Sequence, residues 1–404
     1  MKIVQINTLF GPGSTGRTGW EMHEFLKREG IESYNFYSEP NKDSDPNEIF
    51  GNKLDHKIHG FLSRLFGRQA YFSTIPTYNL IRKLKTIQPD VVVLRILHSN
   101  CINLPMLLNF LASYDIATVV VLHDCWFFTG HCCHYTEVGC QKWQTECHHC
   151  PLIRTNNISW FLDNSRSIFR DKRELFGAIN RLAVVGVSDW IANEARKAPI
   201  FEKAKIIQRI YNWIDLNKFY PRDISVLRNK LGLKEDDFVA LGVSLDWNFR
   251  KGMEVYFEIA KAMPDIKVVM VGHISETDYP SNIINVPPTK STEELAQYYS
   301  MADVLFNFSI QETFGKVAAE ALACGTPLIV NDVTANPEIP GECGFYIKDN
   351  NLQEIVKAVR TIKEKGKSAY SQMCVDRAHL LFEKDKNMMQ YVELFTSLQK
   401  MKSL

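Results

Sequence analysis

Short apolar, β-branched runs alternating with helical stretches constrain this chain more than any other feature. The runs fall at residues 2–6, 91–94, 117–122 and 182–187, and again at 238–243, 266–271, 304–308 and 327–330. Each is too short for a buried helix and is bounded by Gly, Pro, Asn or Asp, so each reads as a strand buried on both faces. Strands of that kind, separated by helices, form parallel sheets covered on both sides. The series runs twice, with a turn-rich break from Asn212 to Pro221. The expected class is α/β, two Rossmann-like doubly wound domains facing across a cleft. The first spans 1–215 with a Cys-rich insertion at 125–151, and the second spans 216–385. A C-terminal helix, 386–404, is expected to pack back on the first domain.

Composition narrows the function classes. Forty-seven Lys+Arg against 46 Asp+Glu, in 404 residues, leave a net charge of +1. That balance argues against a nucleic-acid partner, which would require a basic excess. No apolar run approaches the roughly 18 residues that a membrane-spanning helix needs. The start, Met1-Lys2-Ile3-Val4-Gln5-Ile6-Asn7, lacks the apolar core of a signal peptide. A cytoplasmic protein is expected.

One local imbalance stands out. Between residues 53 and 85, Lys53, Lys57, Arg64, Arg68, Arg82, Lys83 and Lys85 are opposed only by Asp55. Leu54, Ile58, Phe61, Leu62 and Leu65 recur there at helical spacing, flanked by Lys57, Arg64 and Arg68. Two readings stand: a basic amphipathic helix on the anionic inner face of a membrane, or an ordinary helix with its stripe in the core.

The chemistry is concentrated after the run at 304–308. Glu312 and Glu320 stand eight residues apart, with Thr313, Phe314, Gly315, Lys316 and Val317 between them. A strand, a glycine turn and a helix start leave unpaired N–H groups aimed at one point, which suits a diphosphate. Glu320 would then accept hydroxyls of a ribose, and Glu312 would face a sugar.

The run E-T-F-G-K-V-A-A-E-A-L-A-C-G-T-P from Glu312 to Pro327 resembles the E-x7-E signature of retaining family-4 glycosyltransferases of the GT-B fold, of the type found in bacterial surface-polysaccharide synthesis. Other segments follow in the family's order. The loop Gly13, Ser14, Thr15, Gly16 and Arg17 is similar to the family's Gly-rich acceptor-side loop. His123, ending the run at 117–122, resembles the histidine near the reacting sugar, and Arg95 stands where relatives often carry histidine. Ser188 matches a serine that begins a helix. Near Gly242 the family's G-R…K-G element is altered: Val243 follows the glycine, Lys251 keeps the lysine's place, and Arg250 is available as a second cation.

The resemblance implies transfer, with retention, of a hexose from a nucleotide-diphosphate sugar to a glycan or lipid-linked hydroxyl. His123, Glu312 and Lys251 would be catalytic, and Glu320, Arg250 and residues 313–317 would bind the donor. No cofactor is implied for the chemistry. A nucleotide-sugar epimerase and a non-catalytic sugar-nucleotide binder are the alternatives. Donor titration of wild type and Glu320→Ala, followed by product analysis, separates them.

Six of the ten cysteines, Cys125, Cys132, Cys133, Cys140, Cys147 and Cys150, fall in one short stretch. In a chain without an export signal, such clustering suggests metal or reduced thiols rather than disulfides. Cys147-x2-Cys150 has the spacing of a zinc half-site. Cys132, Cys133 and Cys140 compete for the rest of a four-ligand structural site, with reduced packing thiols as the other reading.

Overall fold

The computed structural model describes residues 1–9, 11, 14–39, 45, 48–276 and 278–401. The chain forms two compact units, Met1–Ile210 with Met388–Leu404, and Tyr211–Asn387. Each contains a six-stranded parallel sheet among its described residues. The first sheet comprises β1 (Lys2–Leu9), β2 (Glu32–Glu39), β3 (Val91–Leu94), β4 (Ala117–Leu122), β5 (Leu182–Gly186) and β6 (Ile206–Arg209), in the order β2-β1-β3-β4-β5-β6. The second comprises β7 (Val239–Asp246), β8 (Lys267–His273), β9 (Ile283–Val286), β10 (Val304–Asn307), β11 (Leu328–Asn331) and β12 (Gly344–Ile347), in the order β12-β11-β10-β7-β8-β9.

Both orders reverse direction once, between β1 and β3 in the first unit and between β7 and β10 in the second. At such a point, successive connections leave on opposite faces and open a crevice beyond the carboxyl ends of the strands, where ligands of open α/β sheets bind. Every residue of β3, β4, β5, β10 and β11 is buried. Burial of each Val, Leu or Ile contributes roughly 1.5–3 kcal/mol, so these runs hold the layers together.

The structure shows where the apolar stripe of the basic segment lies. The helix Lys53–Phe66 is capped by Asn52, whose Oδ1 accepts from Leu54 N at 3.0 Å and Asp55 N at 2.9 Å. Its buried residues are His59, Gly60 and Ser63. The apolar stripe is not buried in the core: Leu54, Ile58 and Phe61 are 67%, 51% and 52% exposed, and Leu62 and Leu65 are half-buried. The reason is a polar network that takes the inner face. His59 Nε2 accepts from Ala70 N–H at 3.2 Å, so its proton resides on Nδ1, which lies 2.6 Å from Ser73 Oγ. That hydroxyl donates to Asp55 Oδ2 at 2.6 Å. Burial pushes the His59 pKa down to about 4, which keeps the ring neutral. Among the described residues, no helix is long and apolar enough to cross a membrane.

Candidate active site

The loops that follow β7 and β10 build one site in the second unit. The register of β7 against β8 shifts between Val243 and Asp246, an irregularity of the kind that redirects a strand end. A short turn, Phe249–Lys251, follows, capped by Asn248 Oδ1 accepting from Arg250 N at 2.9 Å. Gly252 closes it at φ 71°, and a Cβ there would lie 2.7 Å from both Cβ and the carbonyl oxygen of Phe308. Only glycine lets this turn rest against the end of β10. Ile310 N donates to the Arg250 carbonyl at 3.0 Å, joining the two loops.

Across that junction, Lys251 Nζ meets Glu312 Oε1 at 2.7 Å. Glu312 is itself fixed through its backbone: its N–H donates to Thr334 Oγ1 at 3.1 Å and its carbonyl accepts from Ala335 N at 3.2 Å. Gly315 adopts φ 86°, and the helix Lys316–Ala323 starts behind it with no side-chain cap. The first N–H groups of a helix lack intrahelical partners and carry its positive dipole end. An ammonium, a carboxylate and an uncapped helix start therefore lie on loops bordering the same crevice.

The remaining donor-side residues divide by environment. Glu320, 6% exposed, accepts from the buried Tyr299 hydroxyl at 2.9 Å. Phe314 is buried, with ring centroids 6.1 Å from Tyr211 and 5.4 Å from Phe382, so its side chain anchors the turn in the core instead of lining an open surface. Thr313, Lys316 and Val317 are partly exposed. The guanidinium of Arg250 lies over Phe249 at 5.0 Å.

In the first unit, His123 follows β4 and Arg95 follows β3. Arg95 is fully buried, with Nε donating to Gln5 Oε1 at 3.0 Å and Nη1 standing 3.2 Å from His123 Nε2. A guanidinium only donates, so Nε2 is the acceptor and the imidazole proton is on Nδ1. Burial first, and the Arg95 charge second, push the His123 pKa down to about 3. Neighbouring His98 behaves oppositely: burial resists its charge, but Asp124 Oδ2, 2.8 Å from Nε2, raises its pKa well above the ordinary value. Of the Gly-rich loop, Gly13 lies outside the described residues. Ser14 opens the helix Ser14–Arg28, which also holds Thr15, Gly16 and Arg17. Arg17 Nε donates to Glu21 Oε1 at 3.0 Å, and Thr15 O lies 3.4 Å from Asn7 Nδ2. Ser188 accepts from Ile191 N at 3.3 Å and caps the helix Asp189–Lys197.

Comparison with known proteins agrees with this architecture. Residues 223–378 match the family model described as glycosyl transferases group 1. A glycosyltransferase structure from Rickettsia africae superposes with a TM-score of 0.68, at 14% identity, over 99% of this chain and 98% of that one. Anabaena Alr3699/HepE, solved in complex with UDP-glucose, gives 0.62 at 17% identity, over 98% and 100%. The fold is that of GT-B glycosyltransferases. In sequence, the chain is 23% identical to the putative colanic acid biosynthesis glycosyl transferase WcaC of Escherichia coli, over 90% of both. It is 27% identical to N-acetyl-alpha-D-glucosaminyl L-malate synthase of Bacillus anthracis, over 47% of this chain and 52% of that one. These matches support glycosyl transfer as the activity and do not favour the epimerase reading.

Several supporting residues were not singled out from sequence. Asn307 and Asn336 bond at 3.1 Å, Asn336 Nδ2 donates to the Ser309 carbonyl at 2.9 Å, and Asn307 Oδ1 accepts from Ser309 N at 3.3 Å. Together they hold the loop that carries Glu312. An asparagine closing the apolar run Val304-Leu305-Phe306 was the available signal. Thr334 and Tyr299 had none, because their partners are distant in sequence.

Proposed function

We propose that the protein is a retaining glycosyltransferase that moves a hexose from a nucleoside-diphosphate sugar to a glycan or lipid-linked hydroxyl in polysaccharide synthesis. The observation that carries this reading is the Lys251–Glu312 pair beside an uncapped helix start. As the glycosidic bond breaks, negative charge grows on the departing diphosphate. An ammonium and backbone amides held in place stabilise it without reorganising at the moment of reaction. In the free site Lys251 is balanced by Glu312, and the diphosphate takes over part of that role. Glu320 is assigned to the ribose and Glu312 to the transferred sugar. Arg250, Thr313, Lys316 and Val317 complete the donor surface, with Phe314 supporting it from the core. On the acceptor side, His123 is held neutral by burial and by Arg95, which also fixes its tautomer. Residues 13–17 supply the adjacent loop.

The UDP and UDP-glucose complexes of Alr3699/HepE support a uridine-diphosphate sugar as the first donor to try. The name of WcaC supports a polysaccharide setting. A thermal-shift screen of nucleotide sugars, followed by determination of the product's anomeric configuration, tests the reading. A bound donor should raise the midpoint by mass action, and the product should keep the donor's configuration. No shift with any donor, or an inverted product, contradicts it.

The exposed stripe on the helix Lys53–Phe66 supports attachment to the cytoplasmic face of a membrane. Ile75 and Tyr78, 75% and 54% exposed, add apolar surface on the next helix, Thr74–Ile87. Each Lys or Arg near an anionic surface contributes about 1 kcal/mol. Co-sedimentation with phosphatidylglycerol vesicles should exceed that with phosphatidylcholine by roughly tenfold or more on this basis. The triple change Leu54→Ser, Ile58→Ser and Phe61→Ser should abolish it. Equal sedimentation with both lipids would overturn the attachment.

A further inference from the structure

The structure separates the cysteines of the insertion into two groups. Cys132, Cys140, Cys147 and Cys150 line one cavity of about 20 Å³, room for roughly one water-sized body. Cys133 is directed elsewhere, with its sulfur grouped with His98 and Asp124. We propose that Cys132, Cys140, Cys147 and Cys150 bind one structural zinc ion, and that Cys133 is not a ligand.

Three observations lead there. The first is the loop itself. Between β4 and the helix Ser165–Gly177, the regular structure consists of three short turns, Trp126–Phe128, Thr136–Val138 and Lys142–Gln144. A connection that long without elements of its own is uncommon in a compact domain and requires another means of order. All ten cysteines are free, so no disulfide supplies it.

The second is how one of the sulfurs is received. Gly130 N–H donates to Cys147 Sγ at 3.3 Å. A hydrogen bond to sulfur is the kind of outer contact that orients a metal ligand. Zinc binding would release the thiol protons to solvent and bring all four sulfurs to about 2.3 Å from the metal.

The third is a buried charge. Lys172 is 1% exposed, and its Nζ donates to the carbonyls of Trp126 at 2.5 Å and Thr129 at 3.0 Å. Thr129 is followed by Gly130, whose N–H meets Cys147 Sγ, so the ammonium stands beside the cluster. Four thiolates around Zn²⁺ carry a net charge of about −2, and Lys172 supplies an adjacent counter-charge. A closed four-sulfur site leaves no position for water or substrate, so its role is to order the loop.

The competing set, His98, Asp124 and Cys133, has its donor atoms within 4.8 Å of one another. There, His98 Nε2 and Asp124 Oδ2 already share a hydrogen bond at 2.8 Å, which satisfies both without a metal. No three of the four proposed sulfurs meet the same 4.8 Å limit, so the ion would draw the turns inward.

The test is elemental analysis of the full-length protein, expressed with zinc and purified under reducing conditions without chelator or metal resin. Wild type, Cys133→Ser and His98→Ala should each hold about one zinc per chain, and Cys140→Ser and Cys150→Ser less than about a quarter. Cobalt-loaded wild type and Cys133→Ser should both show thiolate-to-cobalt charge-transfer absorption, which keeps the test valid if the other cysteine variants fail to fold. Wild type below about a quarter of a zinc per chain, loss of zinc on His98→Ala, or cobalt without that absorption would each overturn the proposal.

Discussion

Lys251→Ala is expected to lower the transfer rate by about 10²–10³-fold, the usual consequence of removing one preorganised charge from a developing anion. The change removes the ammonium and also leaves the Glu312 carboxylate unbalanced, where it repels the incoming diphosphate. Lys251 is 39% exposed and Glu312 21%, so their pairing contributes little to stability once solvent screening is counted. The melting temperature should therefore stay near that of wild type. Lys251→Arg should recover part of the rate, since the charge returns with different geometry. Initial rates at saturating donor, with a thermal melt of each variant, check this. A rate within threefold of wild type for Lys251→Ala would remove the lysine from the chemistry.

Gly252→Val is expected to be strongly damaging to the second unit. A β-branched residue is strained at φ 71°, and its Cβ would collide with the Phe308 backbone 2.7 Å away. The expected loss is roughly 2–4 kcal/mol, or about 5–15 °C in melting temperature for a unit of this size. Because the turn carrying Lys251 is displaced with it, activity should fall as well. Gly232→Ala provides the comparison: φ there is 67° but nothing lies within 4 Å of an added Cβ, so only backbone strain of about 1–2 kcal/mol should appear. Equal melting temperatures for the two variants would show that the contact with Phe308 is unimportant.

What could be read from sequence follows the physics of burial. All eight strands read in advance have a partner on each side in their sheets, while β2, β6, β9 and β12, which were not, are the four edges. An edge strand is not enclosed on every side, so it need not present a continuous apolar run. Ile206-Ile207-Gln208-Arg209, partly exposed throughout, shows this. The glutamate–glycine–glutamate turn was legible because a strand end, a positive-φ glycine and a helix start each leave a local mark. The loop-to-loop bonds of Thr334, Asn336 and Tyr299 leave none, since each depends on a partner brought near only by the sheet. The helix Lys53–Phe66 shows the limit of periodicity. Its spacing was correct, but His59 bonds to Ala70 and Ser73, and Ser73 to Asp55, a network that sequence could not display and that turned the polar face inward. The cysteine spacing likewise could not separate Cys132 from its neighbour Cys133.

The most direct measurement is a crystal structure with a bound nucleoside-diphosphate sugar. The diphosphate should lie against the backbone amides of residues 315–317 and the Lys251 ammonium, with the ribose at Glu320. A donor bound in the second unit away from the loops that follow β7 and β10, or a diphosphate without contact to Lys251, would contradict the account.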